Sequence, residues 1–121
     1  ICSSGPSEYL AEAALRNKDR LLARNKQIIA ENLEILDKFF GDHGDRFNWH
    51  RPKAGPVAFP SLHTENAEEF CEKLVTQTGV LLLPGTVYGA EYHKNFRIGF
   101  GRKNLPQAVE RLEKFVSHGV P

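Results

Sequence analysis

The chain has no methionine, one tryptophan and two cysteines among its 121 residues. Cys2 and Cys71 form no CxxC pair and show no metal-like spacing. A reducing, cytoplasmic setting is the expectation that follows. Cys71 lies beside Phe70 and Leu74 in a helical pattern, which suits a small buried core residue. The five histidines are scattered and none forms an HxxxH pair, so the pattern gives no zinc site. Charge of one sign is also lacking. Sixteen basic residues face fifteen acidic ones, and no arm or run of one sign occurs. That argues against nucleic acid as a partner, since nucleic-acid binding relies on a clustered basic patch. No apolar run approaches membrane-spanning length, and no secretory signal opens the sequence. There is no GxxxxGK[ST], no GxSxG, no internal repeat and no low-complexity segment. Gly99-x-Gly101-x-x-Asn104 sits where a dinucleotide fingerprint would sit, but the third glycine is missing and little chain follows it.

What is present suits one domain of ordinary size over 1–121. Gly5-Pro6-x-Glu8 has the form of a helix start. Apolar residues then recur at helical spacing from Leu10 through Leu36, Phe39 and Phe40, and Gly41 offers a stop. An unbroken helix over 6–40 would be roughly 50 Å long. A compact domain of this size spans only ~35 Å. Either the helix breaks near the polar run Arg24-Asn25-Lys26-Gln27, or one end reaches beyond the core. Strands are expected at 47–51 and 57–60, the second an edge or bulged strand because of Pro56 and Pro60. A helix capped by Thr64 and ended by Gly79 follows. Asn104-x-x-Gln107 has the form of a capping box for a last helix that ends by Gly119.

The most informative stretch is Val80 to Gly101. Val80 to Leu83 has the look of a buried strand stopped by Pro84-Gly85. A loop holding Tyr88, Gly89 and Tyr92 leads to Phe96-Arg97-Ile98-Gly99-Phe100-Gly101. Alternation puts Phe96, Ile98 and Phe100 on one face, expected to be buried, and Arg97, Gly99 and Gly101 on the other. An arginine with two glycines along its own face of the strand has room beside it. A planar guanidinium there suits bidentate capture of a carboxylate or phosphate. The same pattern also suits an arginine that points to solvent from a half-exposed sheet. Helix, two strands, helix, two strands, helix predicts an α+β two-layer sandwich. It comprises a long N-terminal helix and a small, mainly antiparallel sheet with helices on one side.

The order apolar strand, Pro84-Gly85-Thr86-Val87-Tyr88-Gly89, loop, Phe96-Arg97-Ile98-Gly99-Phe100, helix resembles the end of the class I/II aminotransferases, pyridoxal-phosphate (PLP) enzymes of fold type I. Arg51-Pro52-Lys53-Ala54-Gly55-Pro56-Val57-Ala58-Phe59-Pro60 is similar to that family's Pro-x-Gly-Gly-x-Phe strand. Here alanine and proline stand where small residues are usual. The likeness runs through the whole chain and is most specific over 80–101.

The resemblance implies that the chain is the small C-terminal domain of a longer, homodimeric enzyme acting on an amino acid and a 2-oxo acid. It implies that Arg97 binds the substrate's α-carboxylate, with Tyr88 lining the same cleft. It also implies that the long helix once joined this part to a large cofactor domain. The lysine that carries the cofactor is not identifiable. The eight lysines, at 18, 26, 38, 53, 73, 94, 103 and 114, lack the family's surroundings. The phosphate cup and the aspartate that pairs with the pyridine nitrogen are not identifiable either. This chain alone is therefore expected to be inactive and to hold no PLP. The alternative from another class is a stand-alone α+β module that binds an amino acid or mediates assembly without catalysis.

Overall fold

The structure, a computed structural model, describes residues 2–117. Among them the order is α1 (Gly5–Arg16), α2 (Lys18–Asp42), β1 (Phe47–Asn48), β2 (Val57–Ala58), β3 (Ser61–Leu62), α3 (Ala67–Thr78), β4 (Leu83–Pro84), β5 (Phe96–Gly99) and α4 (Leu105–Ser117). Single 3-10 turns at Gly85–Val87 and Ala90–Tyr92 lie between β4 and β5. Every strand pairing is antiparallel: β1 with β3, and β5 flanked by β2 and β4. The fold is α+β, as the element order predicts. The expected end of the last helix by Gly119 lies outside the described residues.

The long helix breaks once, at Asn17, and not at the polar run 24–27. The cause is local. The Asn17 side chain donates to Ala13 O at 2.8 Å, and its backbone N–H is shared between Ala13 O and Ala14 O. Asparagine competes with the helix for its own carbonyls in this way. Beyond the break, α2 runs on through Gly41 to Asp42, one residue past the expected stop. Leu36, Phe39 and Phe40 carry its buried face, each worth ~1.5–3 kcal/mol of burial.

Helix α1 buries nothing. Tyr9, Leu10 and Leu15 are exposed on it, and Leu21 and Leu22 are exposed on the first turns of α2. An isolated helix shorter than ~12–15 residues is marginal in water, so α1 needs a partner surface. The expected result is that the chain self-associates through 9–22. Sedimentation across a concentration series checks this. A monomer at high concentration with slow hydrogen exchange throughout 10–22 would show a helix folded back onto its own core.

The core is a cluster of aromatic and leucine side chains from α2, α3, α4, β1, β3 and β5. Phe40, Phe70, Phe96, Phe100, Leu36 and Leu74 are almost fully enclosed. Phe47 meets Phe40, Phe70 and Phe96 edge to face. Trp49 stacks on Phe40 with ring centres 4.4 Å apart, and its Nε1 donates to Asp37 at 2.7 Å. Cys71 is buried, and burial pushes its thiol up to about 11.

Several strand and cap expectations change. The strand expected over 57–60 keeps only Val57–Ala58, which pairs with β5, and beyond Pro60 a separate strand, Ser61–Leu62, pairs with β1. The strand expected over 47–51 keeps only Phe47–Asn48. Val80–Leu83 is not a strand buried on both faces. Leu82 is buried but Leu81 is 78% exposed, and only Leu83–Pro84 pairs with β5. Asn66, not Thr64, caps α3, accepting from Glu68 N at 2.8 Å. Gly79 ends α3 as expected, at φ +72°, a left-handed cap that glycine adopts without strain.

Candidate functional site

Strand β5 is the centre of the three-stranded sheet, and its two faces differ as the alternation predicts. Phe96, Ile98 and Phe100 are buried against the helices. Arg97 and Gly99 face outward. The outward face is apolar around the arginine. Leu83 is the direct partner of Arg97 on β4, and Val57 that of Gly99 on β2. The β2 register, continued by the bridge between Ser61 and Asn95, sets Phe59 beside Arg97. Val57, Phe59, Leu81, Val87, Tyr88 and Tyr92 are all exposed large side chains.

Arg97 and Tyr88, the two residues singled out in the sequence, meet. Arg97 Nη1 donates to the Tyr88 hydroxyl at 3.0 Å. The Tyr88 ring lies edge to face with Phe59 at 5.7 Å, and Phe59 meets Tyr92 at 5.6 Å. The loop that carries both tyrosines is tightly closed. Gly85 N donates to Asn95 O at 2.6 Å, and Tyr88 N donates to Gly85 O at 2.8 Å. Two links thus fix Tyr88: its backbone to Gly85 and its hydroxyl to Arg97.

Among the described residues, no carboxylate lies within ion-pair distance of Arg97. Other arginines do find partners: Arg46 pairs with Glu65, and Arg51 with Glu34 and Asp37. The Arg97 guanidinium keeps further N–H groups beyond the one engaged by Tyr88. Because that N–H donates to the phenol oxygen, the phenol's own hydrogen stays available to an acceptor.

The room expected beside Arg97 is only half there. A side chain at Gly99 would meet nothing closer than Pro56 O at 4.0 Å, so that flank is open. Two residues further along, at Gly101, a Cβ would lie 3.0 Å from Pro56 Cβ, so the face is closed there by the residue that leads into β2. Phe59 was not singled out in the sequence. The signal for it was the alternation of Val57 and Phe59 with Ala58 and Pro60, which puts both larger side chains on one face.

The chain belongs to the aminotransferases of class I and II, whose family model matches residues 1–112. It is 28% identical over 112 residues to the LL-diaminopimelate aminotransferase of Moorella thermoacetica, covering 88% of this chain and 28% of that enzyme. A PLP-dependent aminotransferase from Streptococcus suis 89-1591 superposes with a TM-score of 0.85 at 28% identity, over 99% of this chain and 32% of its own. The PLP-dependent cyclase OrfR gives a TM-score of 0.84, also at 28% identity, over 96% of this chain and 32% of its own. The chain spans under a third of the length of the curated relatives it matches.

None of the eight lysines has the setting that bonding PLP through its amine needs. All eight lysines are exposed at the surface. Lys94 Nζ donates to His63 O at 2.9 Å, and Lys114 pairs with Glu110 at 2.7 Å. A lysine that bonds a carbonyl cofactor needs a desolvated or cation-flanked setting that frees its amine, and no such burial surrounds these. No described helix is long and apolar enough to cross a membrane. Among the described residues, no group of three or more His, Cys, Asp or Glu side chains gathers to hold a metal ion.

Proposed function

We propose that this chain is the substrate-clamp portion of a PLP-dependent aminotransferase, and that Arg97 holds the α-carboxylate of an amino acid. Tyr88 orients the guanidinium and offers its phenol hydrogen to the same carboxylate. The observation that carries this reading is a guanidinium with no acidic partner, hydrogen-bonded to a phenol, at the centre of an exposed apolar sheet face. An amino acid and its 2-oxo acid share the carboxylate beside the reacting carbon, so one clamp serves both. The apolar rim matters too. When a second body covers Val57, Phe59 and Leu81, water leaves the site and the ion pair strengthens as the local dielectric falls. On this reading the cofactor and its lysine lie in the remaining two-thirds of the longer polypeptide, which works as a homodimer.

The chain by itself is then expected to take up no PLP at a defined lysine. Mixing it with the cofactor, reducing with borohydride and mapping pyridoxyl-lysine by mass spectrometry checks this. Sparse labelling spread over surface lysines agrees; stoichiometric labelling at one lysine would overturn the division of labour. The coding frame upstream of Ile1 supplies the complementary test. A serine-rich segment with a lysine agrees with the clamp reading. Tight calorimetric binding of a free amino acid by the isolated chain would favour the stand-alone module instead.

A further inference from the structure

Asn32 is a polar side chain buried in the core, at 3% exposure. It lies one turn before Leu36 on the buried face of α2, where the helical pattern calls for an apolar residue. Local choices that conflict with the surrounding pattern concentrate at functional or strained sites. Its Nδ2 donates to Phe100 O at 2.8 Å and to Arg102 O at 2.7 Å, so both amide hydrogens are used. These carbonyls sit at the exit of β5. Phe100 is also held through its own N–H, which donates to Pro56 O at 2.7 Å. Strand β5 is four residues long; β4 pairs with its first half, at Phe96 and Arg97, and β2 with its second half, at Ile98 and Gly99. Just past the strand, Asn32 and Pro56 hold the chain, and Arg97 lies three residues before Phe100.

We propose that Asn32 is a positioning residue for Arg97. It locks the exit of β5 to α2 and thereby sets how far the guanidinium reaches from the sheet. This deepens the carboxylate-clamp reading and rests on it. Leucine at 32 would fill a similar volume and leave both carbonyls without a donor. Serine would offer a single, shorter donor.

The test uses the full-length enzyme that carries this segment. Asn32→Leu, Asn32→Ser, Arg97→Lys and the Leu/Lys double variant are compared, first for cofactor content and thermal melting. Steady-state turnover is then measured with an amino acid and with the matching amine that lacks the carboxylate. Asn32→Leu is expected to raise KM for the amino acid about 10- to 100-fold, the scale of a ~1 Å misplacement. Amine turnover should change by less than about twofold, within the usual scatter of independent sites. Asn32→Ser should fall between Asn32→Leu and the parent. The double variant should lose no more than Arg97→Lys alone, because Asn32 acts through Arg97. Losses that add in the double variant, or equal losses on acid and amine, overturn the positioning role. So does unchanged amino-acid kinetics in a folded Asn32→Leu enzyme. If neither Asn32 variant yields folded protein, Asn32 serves stability alone and the proposal fails. If Arg97→Lys itself leaves the amino-acid kinetics intact, the clamp reading has failed first, which separates the two.

Discussion

On the clamp reading proposed above, Arg97→Lys in a full-length enzyme carrying this segment is expected to fold and bind cofactor normally, yet to lower kcat/KM for amino-acid substrates by about 30-fold to several thousand-fold. The range follows from the roughly 2–5 kcal/mol lost when one partner of a desolvated charge pair is removed, at ~1.4 kcal/mol per decade. Folding is spared because the buried side of β5 is carried by Phe96, Ile98 and Phe100, and Arg97 points away from them. The charge also survives. What is lost is geometry: lysine has no planar fork, so it cannot hold the Tyr88 hydroxyl with one N–H and a carboxylate with two others in one plane. The loss should largely vanish for an amine substrate without a carboxylate. Equal losses on both substrates, or none on the amino acid, would remove Arg97 from the clamp.

The second large effect concerns Gly85. This residue is buried where β4 passes into the tyrosine loop. A Cβ there would lie 2.4 Å from Tyr92 O and 2.8 Å from Asn95 O. Both are backbone atoms, so no side chain can rotate out of the way. Gly85→Ala must open the turn, lengthen the bond from Gly85 N to Asn95 O, and shift Tyr88, whose backbone N–H hangs on Gly85 O. Overpacking of this kind costs about 3 kcal/mol, at the upper end of the usual range because backbone has to move. Chemical denaturation of the isolated chain reads it as a lower midpoint at unchanged slope. Gly41→Ala is the matched control. Gly41 lies in α2 with nothing within 4 Å of the added carbon, so alanine there should stabilise by about 0.5–1 kcal/mol. A Gly85→Ala chain as stable as its parent would mean that the loop is slack and that Tyr88 is not held by it.

Local patterns in the sequence foretold the parts of this site that depend on neighbours along the chain. The alternation in 96–100 separated Arg97 from its buried neighbours because a strand's period is fixed at two. Gly79 marked the end of α3 because a left-handed cap favours one residue type. The elements that depend on distant partners were less visible. Nothing near Val80 shows that the ladder to the distant β5 begins only at Leu83 and leaves Leu81 outside it. Nothing near Phe59 shows that its register brings it beside Arg97, nearly forty residues later. Asn32 is the extreme case. Its partners are main-chain carbonyls 68 and 70 residues away, and a carbonyl has no side-chain signature to read. Asn17 was passed over for another reason. The run 24–27 is more polar, but polarity on a solvent-facing helix is harmless, whereas an amide that bonds its own helix's carbonyl ends it.

The stack of Trp49 on Phe40 has an optical consequence. The chain has one tryptophan, and its indole is packed against α2 with its N–H held by Asp37, away from the open sheet face. The ring groups around Arg97 are tyrosines and a phenylalanine. Excitation at the red edge, which tyrosine does not absorb, is therefore expected to report the packing of α2 against the residue that follows β1, and to stay unchanged if Arg97 takes up an anion as proposed.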